Sequence, residues 1–475
     1  MSQKPVIHWF RRDLRMRDNI ALHEACIGDS PVIVLFVIDT HLLKADRVGA
    51  PRLRFMLDAL ASLNDSLKEY DTQLLVRHGQ PETVIPALVE EVDAQALYFN
   101  RDYSPYAKKR DEAIEAQLSI DCHIYDDAIL MPPNSILKGD GEPYKVYTYF
   151  WKKWKVADKP DISVRHFRDE WFYDVSALQN EGIPTLDDLG FPDADAITVA
   201  SEDHALSMLD AFIEDDIKHY GTRRNWLPIH PYADERPSGT SYLSPFLRLG
   251  LLSPRQVYWA ARQAYSDTSS KQYKESIETW VSELAWREFY IHILHFFPHV
   301  LERDFVDTYE TMQWDDDLDA LKAWQDGMTG YPVVDAAMRQ LKAIGWMPNR
   351  ARMIVASFLT KDLLLHWKHG DIYFMRHLID GDPASNNGGW QWAAGTGTDA
   401  QPYFRIFNPV SQSEKYASVE YLKHWIPELA GVPEKYIHAP WTMDEPPTDY
   451  PAPIVEHSTA RDRTLAAFKA ARGDG

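Results

Sequence analysis

The feature that most constrains the fold is an alternation of short apolar runs with helical patterns over residues 6–127. The apolar runs are rich in β-forming residues and lie at Val6–Phe10, Val32–Ile38, Gln73–Arg77, Ala96–Asn100 and His123–Tyr125. Helical patterns near residues 51–69, 81–91 and 105–118 separate them. Strands that are apolar on both faces and alternate with helices form a parallel sheet covered on both sides. We therefore predict a doubly wound α/β domain, without the GxGxxG fingerprint of dinucleotide binding.

The rest of the chain has a different pattern. Residues 128–200 are rich in proline and glycine but hold the aromatic cluster Tyr144–Trp151, so we interpret them as a long ordered connection. Helical spacing then predicts helices over residues 202–219, 253–265, 273–296, 318–327, 333–345, 350–367 and 372–379. A proline-rich tail after Glu428 is expected to coat the surface. The predicted division is an α/β domain at 1–128, a connection at 129–200 and an all-helical domain at 201–475.

The net charge of -21 argues against a nucleic-acid partner, because phosphate contacts need Lys and Arg. The charge is uneven, however. Residues 336–361 contain five basic residues and no acid, and residues 383–413 contain a single acid, Asp399. An acidic chain can still present a local basic face. A solvated helix face that carries no acids is the alternative interpretation.

The two cysteines, Cys26 and Cys122, form neither a disulfide framework nor a metal-binding spacing. We therefore expect a reducing, cytoplasmic compartment and no metal site. The sequence opens without a signal-peptide pattern, and its apolar runs are too short to cross a bilayer. No membrane anchor is expected.

Two segments place polar groups at or on a predicted helix. Gly239–Pro245 brings small hydroxyl side chains to a helix start, where they and backbone N–H groups can bind a phosphate. Ordinary helix capping is the alternative. The second segment carries two indoles, a carboxylate and a guanidinium on one helix face, at Trp280, Glu283, Trp286 and Arg287. Such a face suits the wall of a polar aromatic cavity, and a surface salt bridge between Glu283 and Arg287 is the alternative.

Two later segments are also unusual in composition. Gly345–Met353 opens a helix with Arg350 and Arg352, which point in different directions and can serve two anionic partners. An amphipathic helix start is the alternative. Asp380–Trp392 holds two Asp, two Asn, three Gly and two Trp residues, a composition that suits close backbone approach to a flat heterocycle. A calcium loop is disfavoured because the required glycine and glutamate offsets are missing.

Taken together, these segments resemble the photolyase/cryptochrome family, and most closely its class I cyclobutane pyrimidine dimer photolyases. The resemblance runs over essentially the whole chain, from Trp9–Arg15 and Asp18–Asn19 to Asp449–Glu456. Five segments match in order, at residues 239–245, 283–290, 331–339, 345–353 and 380–392. The resemblance implies an antenna chromophore in the α/β domain and FAD with the catalytic site in the helical domain.

By this resemblance FAD binds in a folded-back form. The positions that match the family's cofactor contacts are Tyr220, Thr240, Ser241, Tyr242, Leu243, Ser244, Trp280, Glu283, Arg287, Asn349, Arg352, Asp380, Asp382, Asn386 and Asn387. Asn386 matches the residue that faces flavin N5, where plant cryptochromes typically carry Asp. An Asn holds an anionic reduced flavin without adding a second negative charge. Asn386 therefore favours repair over signalling.

The resemblance also implies an electron-hopping chain and a lesion pocket. The chain from the surface to the flavin is matched by Trp390, Trp367 and Trp314. The catalytic and lesion-binding positions are matched by Glu283, Trp286, Asn349, Arg350, Met353, Asn386 and Trp392. Glu283 and Asn349 are expected to hydrogen-bond a flipped-out dimer, between apolar walls formed by Trp286 and Trp392. Arg350 is expected to hold a DNA phosphate. Flipping is needed because the reacting bond is unreachable inside the stack.

In the family's reaction, excited reduced FAD gives one electron to the dimer, the cyclobutane ring opens and the electron returns. The expected partner is DNA that contains pyrimidine dimers, and the expected state is a monomer. Two rival functions remain, a cryptochrome-type photoreceptor and repair of the (6-4) photoproduct. Cryptochromes often add a long tail, whereas little follows Pro453. The (6-4) activity calls for a His pair where Pro348 and Asn349 stand.

The sequence departs from the family at two places. Pro348 stands where the family usually has His, and we expect the fold to tolerate it because proline suits a helix start. Folate binders carry Asn-Glu after the fourth strand, but here Asn100 is followed by Arg101. The positions used by deazaflavin binders are matched by Phe36, Arg52, Asp102 and Arg248. The two arginines are able to neutralise an ionised deazaflavin hydroxyl. We predict an 8-hydroxy-5-deazaflavin antenna, with methenyltetrahydrofolate or an empty site as alternatives.

Overall fold

The computed structural model describes residues 3–229, 239–400 and 402–473. It divides into two compact units, each built from two stretches of the chain. The first unit comprises Met1–Lys218 and Ser241–Phe296, and the second comprises His219–Thr240 and Phe297–Gly475. The three-part division at residues 128 and 200 stays a prediction.

A five-stranded parallel sheet forms the centre of the first unit. Its strands are β1 (Val6–Phe10), β2 (Val32–Asp39), β3 (Leu75–Gly79), β4 (Ala96–Asn100) and β5 (Asp121–Tyr125). Their order is β3-β2-β1-β4-β5, and Ile7 of β1 pairs with Ile33 of β2 and Leu97 of β4. From β1 the chain adds β2 and β3 on one side of the sheet, and it then adds β4 and β5 on the other side, next to β1. The carboxyl ends of β1 and β4 therefore open the crevice where doubly wound sheets usually bind ligands.

The described part of the first unit also contains ten α-helices. They are α1 (Ile20–Ala25), α2 (Thr40–Leu43), α3 (Ala50–Lys68), α4 (Pro81–Val92), α5 (Pro105–Gln117), α6 (Tyr147–Val156), α7 (Glu202–Glu214), α9 (Ser244–Leu249), α10 (Pro254–Asp267) and α11 (Lys271–Phe296). β1 and β2 are buried along their whole length, which is why both are unbroken apolar runs in the sequence. The predicted α/β sheet domain is confirmed.

The described part of the second unit is helical. Its helices are α8 (Tyr220–Arg223), α12 (Leu318–Asp326), α13 (Pro332–Ile344), α14 (Asn349–Ser357), α15 (Trp367–His377), α16 (Pro383–Ala394), α17 (Pro409–Tyr416), α18 (Val419–Trp425) and α19 (His457–Arg472). Trp324, Trp367, Tyr421 and other fully buried side chains form one large apolar core in this unit. The predicted helical remainder of the chain is confirmed. None of the helices described here has the length and apolar character needed to cross a membrane.

The helix predicted over residues 350–367 is wrong in its second half. α14 ends at Ser357 and passes into a π-helical turn, Phe358–Asp362, before α15 begins at Trp367. Within this turn the Thr360 hydroxyl donates to the carbonyl of Ala356 at 2.7 Å, a local bond that competes with regular helix geometry. Leu364 then adopts a left-handed φ of 55°, which ends the helical run.

Among the helices that were not predicted, α6 lies inside the connection at residues 129–200, and α19 lies in the proline-rich tail that was expected to coat the surface. In α6 the buried residues Tyr147, Phe150 and Trp154 do follow helical spacing, but the surrounding prolines and glycines obscure it. α19 begins at Glu456, whose carboxylate accepts from two backbone N–H groups. The capping residue and the proline-free stretch after it were the available signals.

Candidate functional site

α11 carries four of the predicted site residues of the first unit, Trp280, Glu283, Trp286 and Arg287. Glu283 and Trp286 are half-buried, whereas Trp280 is buried. Arg287 donates from Nη1 to the carbonyl oxygen of Ala128 at 2.8 Å. The Trp286 ring is covered on one face by Tyr147, with centroids 3.6 Å apart and planes 9° from parallel. The predicted carboxylate and indole therefore lie on one half-buried helix face, and the Tyr147 ring covers one side of the indole.

The hydroxyl-rich segment forms a tight turn into α9. Tyr242 has a φ of 54°, a left-handed conformation that costs energy for a residue other than glycine. Tyr242 and Leu243 are buried, Ser241 is half-buried and Ser244 is exposed. Backbone strain of this kind persists where a turn has a binding role. Of the other predicted phosphate contacts, Thr240 and Tyr220 belong to the second unit.

At the start of α14 an ion pair leaves one buried oxygen open. Arg352 donates from Nη2 to Oδ2 of Asp380 at 2.8 Å and from Nε to the carbonyl of Met347 at 2.7 Å. Oδ1 of Asp380 is buried and has no hydrogen-bond partner among the described residues. A buried carboxylate oxygen without a donor is costly. This atom is therefore suited to a donor group of a bound ligand.

α16 begins at Asp382 and carries the two predicted asparagines. The Asp382 carboxylate caps the helix by accepting from the N–H groups of Ala384 and Ser385. Asn386 uses its amide nitrogen on Asp371, donating to the carbonyl oxygen at 3.0 Å and to Oδ1 at 2.6 Å. Since the nitrogen is used in this way, the side-chain oxygen of Asn386 is the atom available to a ligand N–H. Asn387 is buried and donates to the carbonyl of Val300 at 2.8 Å.

The three predicted hopping tryptophans lie in the second unit in different surroundings. Trp390 and Trp367 are buried, whereas Trp314 is half-buried. His366 lies between two of them, with its ring centroid 5.3 Å from both Trp314 and Trp367. Trp367 donates from Nε1 to Oδ1 of Asp304 at 2.6 Å. Of the three indoles, Trp314 is therefore the one that solvent can reach.

The predicted lesion-binding residues of the second unit are near the start of α14. Asn349 is exposed, and its Nδ2 lies 3.8 Å from Sδ of Met353. Arg350 donates from Nε to Oδ1 of Asn225 at 3.1 Å, and its guanidinium carbon lies 4.5 Å from the ring centroid of Tyr416. Trp392 on α16 is half-buried. Arg350 is thus held in one orientation while remaining partly open to solvent.

Two of the predicted antenna residues, Asp102 and Arg248, lie near Arg12 at the carboxyl ends of β1 and β4. Asp102, just after β4, accepts from Nη1 of Arg12 at 3.4 Å. Burial opposes ionisation of Asp102, but Arg12, Arg11 and Arg248 outweigh it and hold its pKa well below the usual range. Phe36 is buried at the adjoining strand β2, and Arg52 on α3 donates to the carbonyl of Arg47 at 2.7 Å.

The sequence interpretation missed several residues that organise these sites. Arg12 was not selected, although two arginines directly after β1 fall at the crevice that parallel sheets use for ligands. Asp304, Asp371 and Tyr147 were also missed, because each acts on a residue distant in sequence and has no local motif. No set of three His, Cys, Asp or Glu side chains in residues 3–229, 239–400 and 402–473 is grouped to hold a metal ion.

Comparison with known proteins identifies the family. Residues 6–165 match the model described as DNA photolyase, and residues 280–470 match the FAD binding domain of DNA photolyase. A deoxyribodipyrimidine photo-lyase of Halobacterium salinarum is 42% identical over 98% of this chain and 99% of its own length.

Two solved structures agree with this. A class III photolyase from Agrobacterium tumefaciens superimposes with a TM-score of 0.89 at 34% identity, covering 100% of this chain and 98% of its own. A cryptochrome from Synechocystis gives a TM-score of 0.87 at 28% identity, covering 98% of this chain and 99% of its own. A parallel sheet with a charged crevice, a helical unit with an open buried carboxylate, and full-length similarity lead to one conclusion. The chain belongs to the DNA photolyase family.

Proposed function

We propose that this protein repairs cyclobutane pyrimidine dimers in DNA in a light-driven reaction that uses reduced FAD. The observation that carries the proposal is the contact of Asn386 with Asp371, which holds a neutral amide at the position predicted to face the flavin. A carboxylate at residue 386 would stand against Asp371 and oppose an anionic flavin. The full-length similarity to deoxyribodipyrimidine photo-lyases supports the same activity.

The residues present fit FAD. The family match at residues 280–470 covers Arg352, Asp380 and Asn386, which would hold the cofactor. The buried Oδ1 of Asp380 would accept a hydrogen bond from it, and the side-chain oxygen of Asn386 would accept from an N–H of the flavin ring. When bound and reduced, FAD supplies the single electron that opens the cyclobutane ring and takes it back afterwards.

The predicted lesion residues recognise and orient the dimer. Glu283 and Asn349 would hydrogen-bond its polar edges, and Trp286 and Trp392 would give flat apolar contact. Arg350, held by Asn225, would take a DNA phosphate. A flipped-out base leaves the aqueous duplex for such a pocket, so these contacts offset the cost of unstacking. No proton transfer is required of any side chain in this scheme.

Trp390, Trp367 and Trp314 would carry electrons to the flavin from outside and so bring it to the reduced state. Burial of Trp390 and Trp367 keeps water from the path, and Trp314 is reachable from solvent. The hydrogen bond from Trp367 to Asp304 places a carboxylate beside the middle indole, where it would stabilise a positive charge in transit.

For the antenna we propose 8-hydroxy-5-deazaflavin. The crevice holds Arg12 and Arg248 near Asp102, so it combines positive charge with the buried ring of Phe36. An ionised hydroxyl on a flat ring system fits this combination. The test is absorbance of the chromophore released after purification from the native host. A deazaflavin spectrum is expected, and a folate spectrum would contradict the assignment.

We also infer membership of class I, action as a monomer and a cytoplasmic location. The inference of class I is supported by the sequence resemblance alone, because one of the similar solved structures is a class III photolyase. The monomer is tested by light scattering of the purified protein with and without dimer-containing DNA. A single mass near 54.8 kDa is expected for the free protein.

The experiment that tests the function uses purified protein with reduced FAD and single-stranded DNA that contains cyclobutane dimers. Loss of dimers is expected under blue light and not in the dark. Glu283→Ala is expected to retain FAD and lose much of the yield. If dimers persist under light, the same preparation is tested on (6-4) photoproducts, and repair of those lesions would replace the proposal. No repair of either lesion would favour a photoreceptor.

A further inference from the structure

Helix α6 has two faces of opposite character. Tyr147, Phe150 and Trp154 are buried, whereas Tyr149, Lys152, Lys153 and Val156 form an exposed stripe at spacings of three and four residues. We call these last four residues the α6 stripe. Tyr149 is 59% exposed and Val156 is 77% exposed.

The stripe is positively charged in a chain that is strongly acidic. Residues 144–157 contain four lysines and no acid, against a net charge of -21 for the whole sequence. Lys155 is neutralised by Glu278 at 2.7 Å. Lys152 and Lys153, by contrast, make no ion pair within the described ranges. The electrostatic field of this acidic chain repels polyanions in general. A stripe of lysines without ion pairs is therefore a place where a polyanion can approach the surface.

The buried face of α6 is anchored to the helix that carries the proposed lesion contacts. Tyr147 stacks on Trp286 and donates its hydroxyl to the carbonyl of Ser282 at 2.7 Å. Trp154 donates from Nε1 to Glu288 at 2.6 Å. These contacts pack α6 against the helix that carries Trp286 and Glu283, so the stripe lies on an element joined to those residues.

We propose that the α6 stripe binds the phosphate backbone of DNA beside the lesion. Two free lysines supply the charge, and the exposed ring of Tyr149, with Nζ of Lys152 5.8 Å from its centroid, supplies an aromatic contact for a base or sugar. The proposal rests on the proposed function, because it takes DNA as the partner. A phosphate contact at this helix adds affinity without sequence or lesion preference.

The test measures binding of undamaged and dimer-containing duplex DNA in the dark over a range of salt concentrations. Lys152→Ala/Lys153→Ala is expected to reduce the slope of log affinity against log salt by about 2, close to one unit for each lost phosphate contact. At low salt the affinity is expected to fall by about tenfold or more. The ratio of affinities for damaged and undamaged DNA stays unchanged.

Lys108 and Lys109 provide a matched control. They are an adjacent pair of exposed lysines on α5 in the same unit, so their double alanine variant changes the net charge equally. The control is expected to keep the wild-type slope, and Lys152→Arg/Lys153→Arg is expected to restore it. An unchanged slope in the Lys152/Lys153 variant, or an equal loss in the control, overturns the proposal. Because binding is measured in the dark, this outcome does not depend on whether the protein repairs dimers.

Discussion

The replacement Asn386→Asp is the sharpest probe of the neutral position at the head of α16. In the wild-type protein Nδ2 of Asn386 donates to the carbonyl oxygen and to Oδ1 of Asp371. A carboxylate cannot donate either bond when it is ionised. The variant therefore loses both hydrogen bonds to Asp371 and places a second carboxylate next to that of Asp371.

The size of the effect follows from the distance. At the 2.6 Å that now separates Nδ2 of Asn386 from Oδ1 of Asp371, two unit charges repel by about 6 kcal/mol at an effective dielectric constant of about 20. The pair relieves most of this by keeping one proton, which raises the pKa of the new carboxyl above its usual value. With some side-chain rotation, we expect the free energy of unfolding to fall by about 2–4 kcal/mol at pH 8.

The loss depends on pH in a definite direction. The new carboxyl binds its proton more tightly in the folded than in the unfolded state, so the variant is least affected at low pH. The destabilisation grows as pH rises above about 4, the pKa of an unfolded Asp, and becomes constant above the raised pKa. Urea unfolding at pH 5 and at pH 8 measures the difference in free energy of unfolding between the variant and wild type at low and at high pH.

Asn349→Asp is the control for this measurement. Asn349 is exposed, so a carboxylate there is expected to change stability by less than about 0.5 kcal/mol with little dependence on pH. If Asn386→Asp is as stable as wild type at pH 8, or loses the same amount at both pH values, the reasoning about Asp371 is refuted.

Four further variants test the packing and charge arrangement. Gly370→Ala would place a methyl group 2.0 Å from the Trp390 ring, so it is expected to lower thermal stability and slow photoreduction of the flavin. Gly389→Ala meets nothing within 4 Å, and should be neutral or stabilising by up to about 1 kcal/mol. Arg255→Met breaks a buried ion-pair cluster and should cost about 3–5 kcal/mol in unfolding free energy. Burial lowers the pKa of Lys361 to about 7, so wild type should gain stability relative to Lys361→Met as pH rises from about 7 towards 10.

The sheet domain was predictable because its physical signal is local. A run such as Val32–Ile38 is apolar at every position, and only a strand covered on both faces satisfies that pattern. Helix starts with proline at the first turn, as in α4 and α5, were located closely for the same reason.

The π-helical turn at Phe358–Asp362 was not predictable from spacing. Its residues are all buried, so there is no polar face to give the period, and the widened turn depends on the Thr360 hydroxyl bond. α6 was hidden in a segment whose prolines and glycines indicate loops. Tertiary burial decides the backbone of the π-helical turn, whereas the helical spacing of α6 is present in the sequence but obscured by those prolines and glycines.

The site residues divide in the same way. Asp382 precedes Pro383, a pairing typical of a helix start, and the structure shows it as the cap of α16, although that helix was not predicted. The partners that fix the site, such as Asp371, Asp304 and Tyr147, lie far along the chain from the residues they hold. Each lacks a motif of its own, so only the folded arrangement reveals it.

The central claim is that the electron returns after each repair, so that the flavin is not consumed. The most direct measurement counts dimers lost per reduced flavin under anaerobic illumination, with no added reductant. Each flavin is expected to repair many dimers and to be still reduced at the end. A loss that stops at one dimer per flavin, with the flavin oxidised in equal amount, would contradict it.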